Sequence, residues 1–433
     1  ALFAFLLLLI MNAACAALAA HLLSTFPHAV LPFWAIVVLA YVLGGFLRGR
    51  ENFQFIPASL TSLILSLMAV WLLGEFPFTF TGALNLETSE SFVTFDANVV
   101  WILLLFLYGY HATRQPMWKL IRPRGYLTTL LLGILLFFCY LAVVIDHPVL
   151  VAPEFHAGPD IPATLPWLFI TLTSGAVAGI HLLIANGITA RQMKRETDAR
   201  YIGYGGALAL GLLALSAIII GSTGFAGTPE WSQHYASWEG FRDLRKVFEL
   251  YIYGFARLAG GIGLNPSLAR TLAAVVMIGL LVATLEAGLR VQKHLLTGMT
   301  ERFPSLSFLP GNERMQIASV VILSAALALH QPHGLGGLAW WPLFGVADQM
   351  LAVLGFSLLA LALRQSGRPV TWVVVPLIFM AVVVHWALAV QLALWWSGNE
   401  WLLLGLGILL LAVEIGLVVL VLRTWKAASL SMA

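Results

Sequence analysis

Charge is what this chain has least of. Only 10% of its 433 residues are Asp, Glu, Lys or Arg, and 60% are hydrophobic. Soluble domains carry about a quarter charged residues, so an ordinary water-exposed domain is excluded. Cysteine is almost absent: Cys15 and Cys139 both lie inside apolar runs, which excludes a disulfide framework and a cysteine metal site. There is no HExxH, no nucleophile elbow, no phosphate-binding loop and no CxxC. No paired nucleophile and base can be assembled from the apolar runs, so neither an enzyme nor a metal or cofactor is expected. Nucleic-acid motifs and basic tails are missing as well. The chain opens on Ala1, apolar at once and without a charged leader. It is therefore expected to be a fragment whose upstream spans are absent.

What the chain has in abundance is long apolar runs. About twelve recur from end to end, each near the roughly 20 residues that cross a bilayer. They fall near 2–24, 30–47, 57–75, 98–113, 125–145, 164–190, 202–224, 266–289, 314–331, 340–363, 369–396 and 400–422. The expected fold class is an all-α, polytopic helical membrane protein, with 1–433 as one transmembrane domain.

The scarce cations orient it. By this count 18 of the 23 Lys and Arg, from Arg48 to Lys426, fall on alternate connections. The positive-inside rule makes that side cytoplasmic, with both ends of the chain there. Arg114, Lys119, Arg122 and Arg124 form one such connection, a compact turn. On the opposite side the 225–265 connection is long. Its aromatics and cations (Trp231, Trp238, Phe241, Arg242, Arg245, Lys246, Phe248) predict an amphipathic helix at the outer interface, with a lid over a cavity as the alternative.

The most unusual run is the sixth. Gly175 and Gly179 sit near its middle, beside Ser174, with His181 and Asn186 beyond. At helical spacing Thr171, Ser174 and His181 share one face, and Gly175, Gly179 and Asn186 share the next stripe. Two readings stand. Gly175 and Gly179 fit the small-xxx-small packing pattern. They also fit a discontinuous helix lining a solute site, predicted to bend or unwind around Ser174–Gly179.

Ionisable groups inside a membrane cost at least about 2.5–3.5 kcal/mol on insertion scales, so each asks for a partner or a job. Asp348 and Gln349 lie in the tenth run. Asp348 either carries a proton or caps a helix restarting after Gly345. His181 either hydrogen-bonds a solute and carries a proton, or is an interhelical donor. Glu286 has Arg290 one turn away, the spacing of a helical ion pair. His385 and Glu414 are deep enough to pair with each other.

Five blocks together resemble the carbon starvation protein family of bacterial inner-membrane transporters. They are FITLTSGAVAGIHLLIANGIT (169–189), DARYIGYGGAL (198–208), WWPLFGVADQMLA (340–352), RPRGYLTTLL (122–131) and LEAGLR (285–290). The resemblance implies an inner-membrane secondary transporter related to the amino acid–polyamine–cation group, built from inverted repeats. It implies uptake of pyruvate or similar short carboxylates, coupled to protons, with peptide or amino-acid uptake as the alternative. The expected substrate-binding residues are Thr171, Ser174, Gly175, Gly179, His181, Asn186 and Gln349. The expected proton-coupling residues are Asp348, His181 and Glu286. The chain departs from the family pattern in having Asp348 for the usual Asn and Glu286 for the usual Asp. A non-transporting nutrient sensor is a further alternative, for which an attached signalling domain would be expected.

Overall fold

The computed structural model describes residues 2–48, 55–80, 96–153, 165–166, 169–235, 243–302 and 312–430. Among these there are helices and turns and no strand. Apolar residues all round a helix leave its backbone bonded only to itself, the condition that lipid imposes. The helices are α1 (Leu2–Thr25), α2 (Pro27–Leu47), α3 (Phe55–Leu73), α4 (Ala97–Arg114) and α5 (Ile121–Asp146). Next come α6 (Phe169–Ala176), α7 (Gly179–Ile184), α8 (Asp198–Thr223), α9 (Thr228–Tyr235) and α10 (Leu244–Gly261). Last are α11 (Pro266–Arg302), α12 (Glu313–Leu329), α13 (Trp341–Gln365), α14 (Thr371–Ser397) and α15 (Trp401–Leu430).

Among the described residues, eight helices are long and apolar enough to cross a membrane: α1, α2, α5, α8, α11, α13, α14 and α15. This makes the chain a multi-pass helical membrane protein. The other expected spans fall in shorter or interrupted helices, namely α3, α4, α12 and the α6–α7 pair.

Two helices form the centre. In both α1 and α11, 78% of the most apolar stretch is buried, against 11% in α8. Small residues explain how closely they approach their neighbours. A Cβ on Gly288 of α11 would stand 2.1 Å from Asn12 Oδ1 of α1, and one on Gly337 would stand 2.4 Å from the Ala13 carbonyl carbon. Without a hydrophobic drive between helices in lipid, such close contact and interhelical hydrogen bonds hold the bundle. Asn12 Nδ2 donates to Gln292 Oε1 at 2.8 Å, and Gln292 Nε2 donates to the Phe5 carbonyl at 3.1 Å. All these groups lie where water cannot reach.

In α10, Asp243 accepts from the Arg245 backbone N–H at 3.1 Å, starting the helix. Its buried side, which includes Ile252, Phe255 and Leu258, lies against α11 and α8. Trp238, Phe241 and Arg242, part of the basis for that predicted helix, lie outside the described residues.

The turn before α5 is shorter than its sequence suggests. Helix α5 begins at Ile121, so Arg124 is a buried helical residue and not part of a solvated cationic connection.

Candidate functional site

The sixth run is broken. Helix α6 stops at Ala176, Ala178 is extended (φ −88°, ψ 128°), and the helix restarts at Gly179. It then loosens into a π-helical turn, Ala185–Thr189, and tightens into a 3₁₀ turn, Ala190–Gln192. A break leaves carbonyls without partners on one side and N–H groups on the other. Residues of α13 supply both. Asp348 Oδ1 accepts from Ile180 N–H at 2.7 Å, and Gln349 Nε2 donates to the Val177 carbonyl at 3.3 Å. Asp348 and Gln349 are 1% and 0% exposed. A carboxylate is favoured at that end of a helix, where the backbone dipoles leave positive charge.

Asp348 does therefore cap a helix, but not its own. Helix α13 runs unbroken from Trp341 through Gly345, so the expected restart after Gly345 is absent. The capped helix is α7, 168 positions earlier in the chain.

The two glycines do different things. A Cβ on Gly179 would lie 2.4 Å from the Asp348 carbonyl oxygen and 2.7 Å from Ala352 N. Only glycine allows the break to sit against the backbone of α13. A Cβ on Gly175 would meet nothing within 4 Å among the described residues. The pair is thus not one packing stripe. Gly179 packs, and Gly175 lies on an open face with half-buried Ser174 and exposed His181 on the same segment. Buried Gln349 Oε1 has no hydrogen-bond partner among the described residues. Thr171 lies in α6 and Asn186 in the π-helical turn, but their side chains lie outside the described residues.

Glu286 belongs elsewhere. It is fully buried and pairs with Arg124, whose Nη2 donates to Oε2 at 2.7 Å. Tyr108 donates its hydroxyl to the other carboxylate oxygen. Arg124 Nη1 also reaches the Gly279 carbonyl at 3.0 Å. The expected pairing with Arg290 is not made, because that guanidinium is drawn to free carbonyls at the end of α4. Its Nη2 donates to Ala112, Thr113 and Gln115 at 3.2, 3.0 and 2.7 Å, as cations do at helix C-termini. The cluster of Arg124, Tyr108 and Glu286 was hidden in the sequence because its members come from three distant helices. The one local hint was that Glu286, at that depth, needed a cation. His385 and Glu414 do approach each other, at 3.2 Å, across α14 and α15.

Together these features define a class: a multi-pass helical membrane protein with an interrupted helix clamped by a buried carboxylate and amide. The chain belongs to the carbon starvation protein CstA family, whose model matches residues 1–226 and 247–387. It is 25% identical over 428 residues to "Peptide transporter CstA" of Mycobacterium tuberculosis (strain ATCC 25618 / H37Rv), covering 86% of this chain and 54% of that protein. It is 26% identical over 466 residues to "Pyruvate/proton symporter BtsT" of Escherichia coli (strain K12), covering 90% of this chain and 63% of that protein. Against "Peptide transporter CstA" of the same Escherichia coli strain the identity is 28% over 330 residues, covering 63% and 46%. The chain thus spans about half the length of the curated relatives it matches. No solved structure matches it.

Proposed function

We propose that this chain forms part of a proton-coupled secondary transporter that imports small carboxylates such as pyruvate. In this reading it has twelve spans in the inner membrane, with both ends cytoplasmic and the spans arranged as inverted repeats. The 225–265 connection is external, with α10 near the outer interface. The chain is not an enzyme. The observation that carries the proposal is the clamped break. An irregular backbone at membrane depth is tolerated where it is buried in protein or lines a cavity, and such interrupted helices form transporter sites. The π-helical turn just after the break supports the same reading, since π-bulges are frequent at functional sites.

The chemistry follows from Asp348. While ionised, it occupies the positive end of the helical segment starting at Gly179 and would repel an anionic substrate. Once protonated, it releases that end to a substrate carboxylate, a favoured ligand of helix N-termini. Proton loading then accompanies binding, and reloading of the clamp accompanies release. Gln349, Ser174 and the open side at Gly175 serve the substrate, along with Thr171, Gly179 and Asn186. His181 is the alternative proton carrier, and Glu286 holds the frame.

Peptide uptake is the second reading, favoured because several relatives are named peptide transporters. The test is initial uptake of labelled pyruvate, other short acids and dipeptides by the complete protein in proteoliposomes, at several pH values. Pyruvate uptake driven by an inward proton gradient is expected. Asp348→Asn should keep binding but change the pH profile, and Asp348→Leu should lose both. An Asn variant that tracks the wild type at every pH would remove Asp348 from the coupling and leave His181. Dipeptide uptake without pyruvate uptake would decide for the peptide reading.

A further inference from the structure

A second site lies apart from the break. Between α2 and α4 runs a groove of about 690 Å3, within the range of ligand pockets. Its walls are aromatic and aliphatic, with Trp34 on one side and Trp101, Leu104 and Leu107 on the other. Tyr110 and His111 mark the end nearest the close of α4. From Trp101 to His111 is ten residues, about 15 Å of helix. That is half of a hydrocarbon core about 30 Å thick, the depth of one leaflet.

The Tyr110 end of the groove is cationic. Arg114 lies over the Tyr110 ring at 5.4 Å, Lys119 over Tyr41 at 4.6 Å, and Arg48 over Trp118 at 4.9 Å. Each is held by an aromatic face, with no carboxylate counter-ion among the described residues, so its charge remains available to an anion. The turn carrying Trp118 and Lys119 is seated on α2: a Cβ on Gly44 would stand 2.2 Å from the Lys119 carbonyl oxygen. The cations therefore bridge α2 and α4 at one end of the groove.

We propose that this groove is a binding site for an anionic phospholipid. One acyl chain lies along Trp34, Trp101 and Leu104, and the headgroup phosphate lies among Arg114, Lys119 and Arg48. Charge complementarity selects this occupant. An uncharged apolar ligand would not use the cations, and a soluble anion would not use a dry groove one leaflet deep. Basic pockets between membrane helices take anionic headgroups in the same way. Tyr108, which also lines the groove, donates its hydroxyl to Glu286, so the lipid would touch the buried ion pair of the frame.

The test uses tryptophan quenching by phospholipids brominated on the acyl chain, with the complete protein in vesicles. Brominated phosphatidylglycerol and brominated phosphatidylcholine are compared at equal mole fraction, and Trp34→Phe isolates the groove signal. Quenching of Trp34 should be stronger with phosphatidylglycerol. A cation near an anionic leaflet is worth about fivefold, so Arg114→Gln with Lys119→Gln should lower that preference by tenfold or more. Leu104→Trp fills the groove while sparing the cations, so it should abolish Trp34 quenching even if the headgroup still associates. Equal quenching by the two lipids would overturn the proposal, as would a preference that survives the double substitution. If another transmembrane helix fills the groove, neither lipid quenches Trp34, and the proposal fails as well.

Discussion

Two buried polar clusters in this bundle show how similar groups can serve opposite ends. In the first, Glu286 is met by Arg124 and by Tyr108, and both guanidinium NH2 groups of Arg124 are engaged. Its members are contributed by α4, α5 and α11. In the second, Asp348 accepts from the Ile180 N–H and Gln349 donates to the Val177 carbonyl, both on broken backbone. Gln349 Oε1 is left over, and the broken segment is open at Gly175. The first cluster leaves only Arg124 Nε over; both Glu286 oxygens are engaged, and between three helices it locks the frame and offers a solute no acceptor. The second sits beside irregular backbone that is open at Gly175, so it has room. The carboxylates are equally buried; what differs is that Glu286 faces a cation and a hydroxyl, whereas Asp348 faces broken backbone.

That contrast fails if the first cluster can be broken cheaply. Removing one partner strands a buried charge and costs about 3–5 kcal/mol. Arg124→Leu should therefore cause the largest loss seen in the bundle, read as thermal unfolding in detergent. Replacing both partners, Arg124→Leu with Glu286→Leu, should recover much of the loss, because no lone charge remains. A single variant that unfolds like the wild type would show that the cluster does not hold the frame.

The second cluster should respond less in stability and more in activity. Asp348→Leu leaves the Ile180 N–H buried without an acceptor, worth about 1–3 kcal/mol, while Asp348→Asn retains a carbonyl in place. Uptake by the Leu variant should disappear although the protein still folds, as judged by a monodisperse peak in detergent. Loss of folding equal to that of Arg124→Leu would place Asp348 in the frame as well.

Much of this was legible from residue order, for a physical reason. Span positions follow from hydropathy because lipid forces backbone pairing within each segment. The interruption was visible in the two glycines beside Ser174, since glycine weakens a helix wherever it stands. Asp348 was visible because an ionisable group at that depth is rare. Partner identity was not visible. Local spacing assigned Arg290 to Glu286 and a cap within its own helix to Asp348, whereas both partners come from distant helices. Tertiary packing decides such pairs, and periodicity along one helix carries no information about it. Arg124 was misplaced for the same reason: a cation beside Pro123 reads as turn until α11 brings Glu286 to it.

The glycines of the break sharpen the comparison further. Gly179→Ala pushes a methyl group into the backbone of α13, where contacts of 2.4–2.7 Å leave no space. Overpacking of this kind costs about 1–3 kcal/mol, and the displaced Ile180 N–H should weaken its bond to Asp348. Thermal stability and uptake should fall together. Stability unchanged in Gly179→Ala would mean that the break does not rest on α13.

The smallest stability effect is expected four residues earlier, and it discriminates most finely. Gly175→Ala adds a methyl group where no described residue lies within 4 Å, and alanine favours helix over glycine by up to about 1 kcal/mol. Stability should hold or rise slightly. Gly175→Leu extends the side chain into the same open space and should still leave unfolding within about 1 kcal/mol of the wild type. If that space is where solute passes, uptake should fall sharply with Leu and little with Ala, while pyruvate binding weakens in step with side-chain volume. If another helix of the complete protein packs there instead, Gly175→Leu should destabilise about as much as Gly179→Ala. The ratio of lost uptake to lost stability therefore separates a passage from an interface: high at Gly175 for the first, near that of Gly179 for the second.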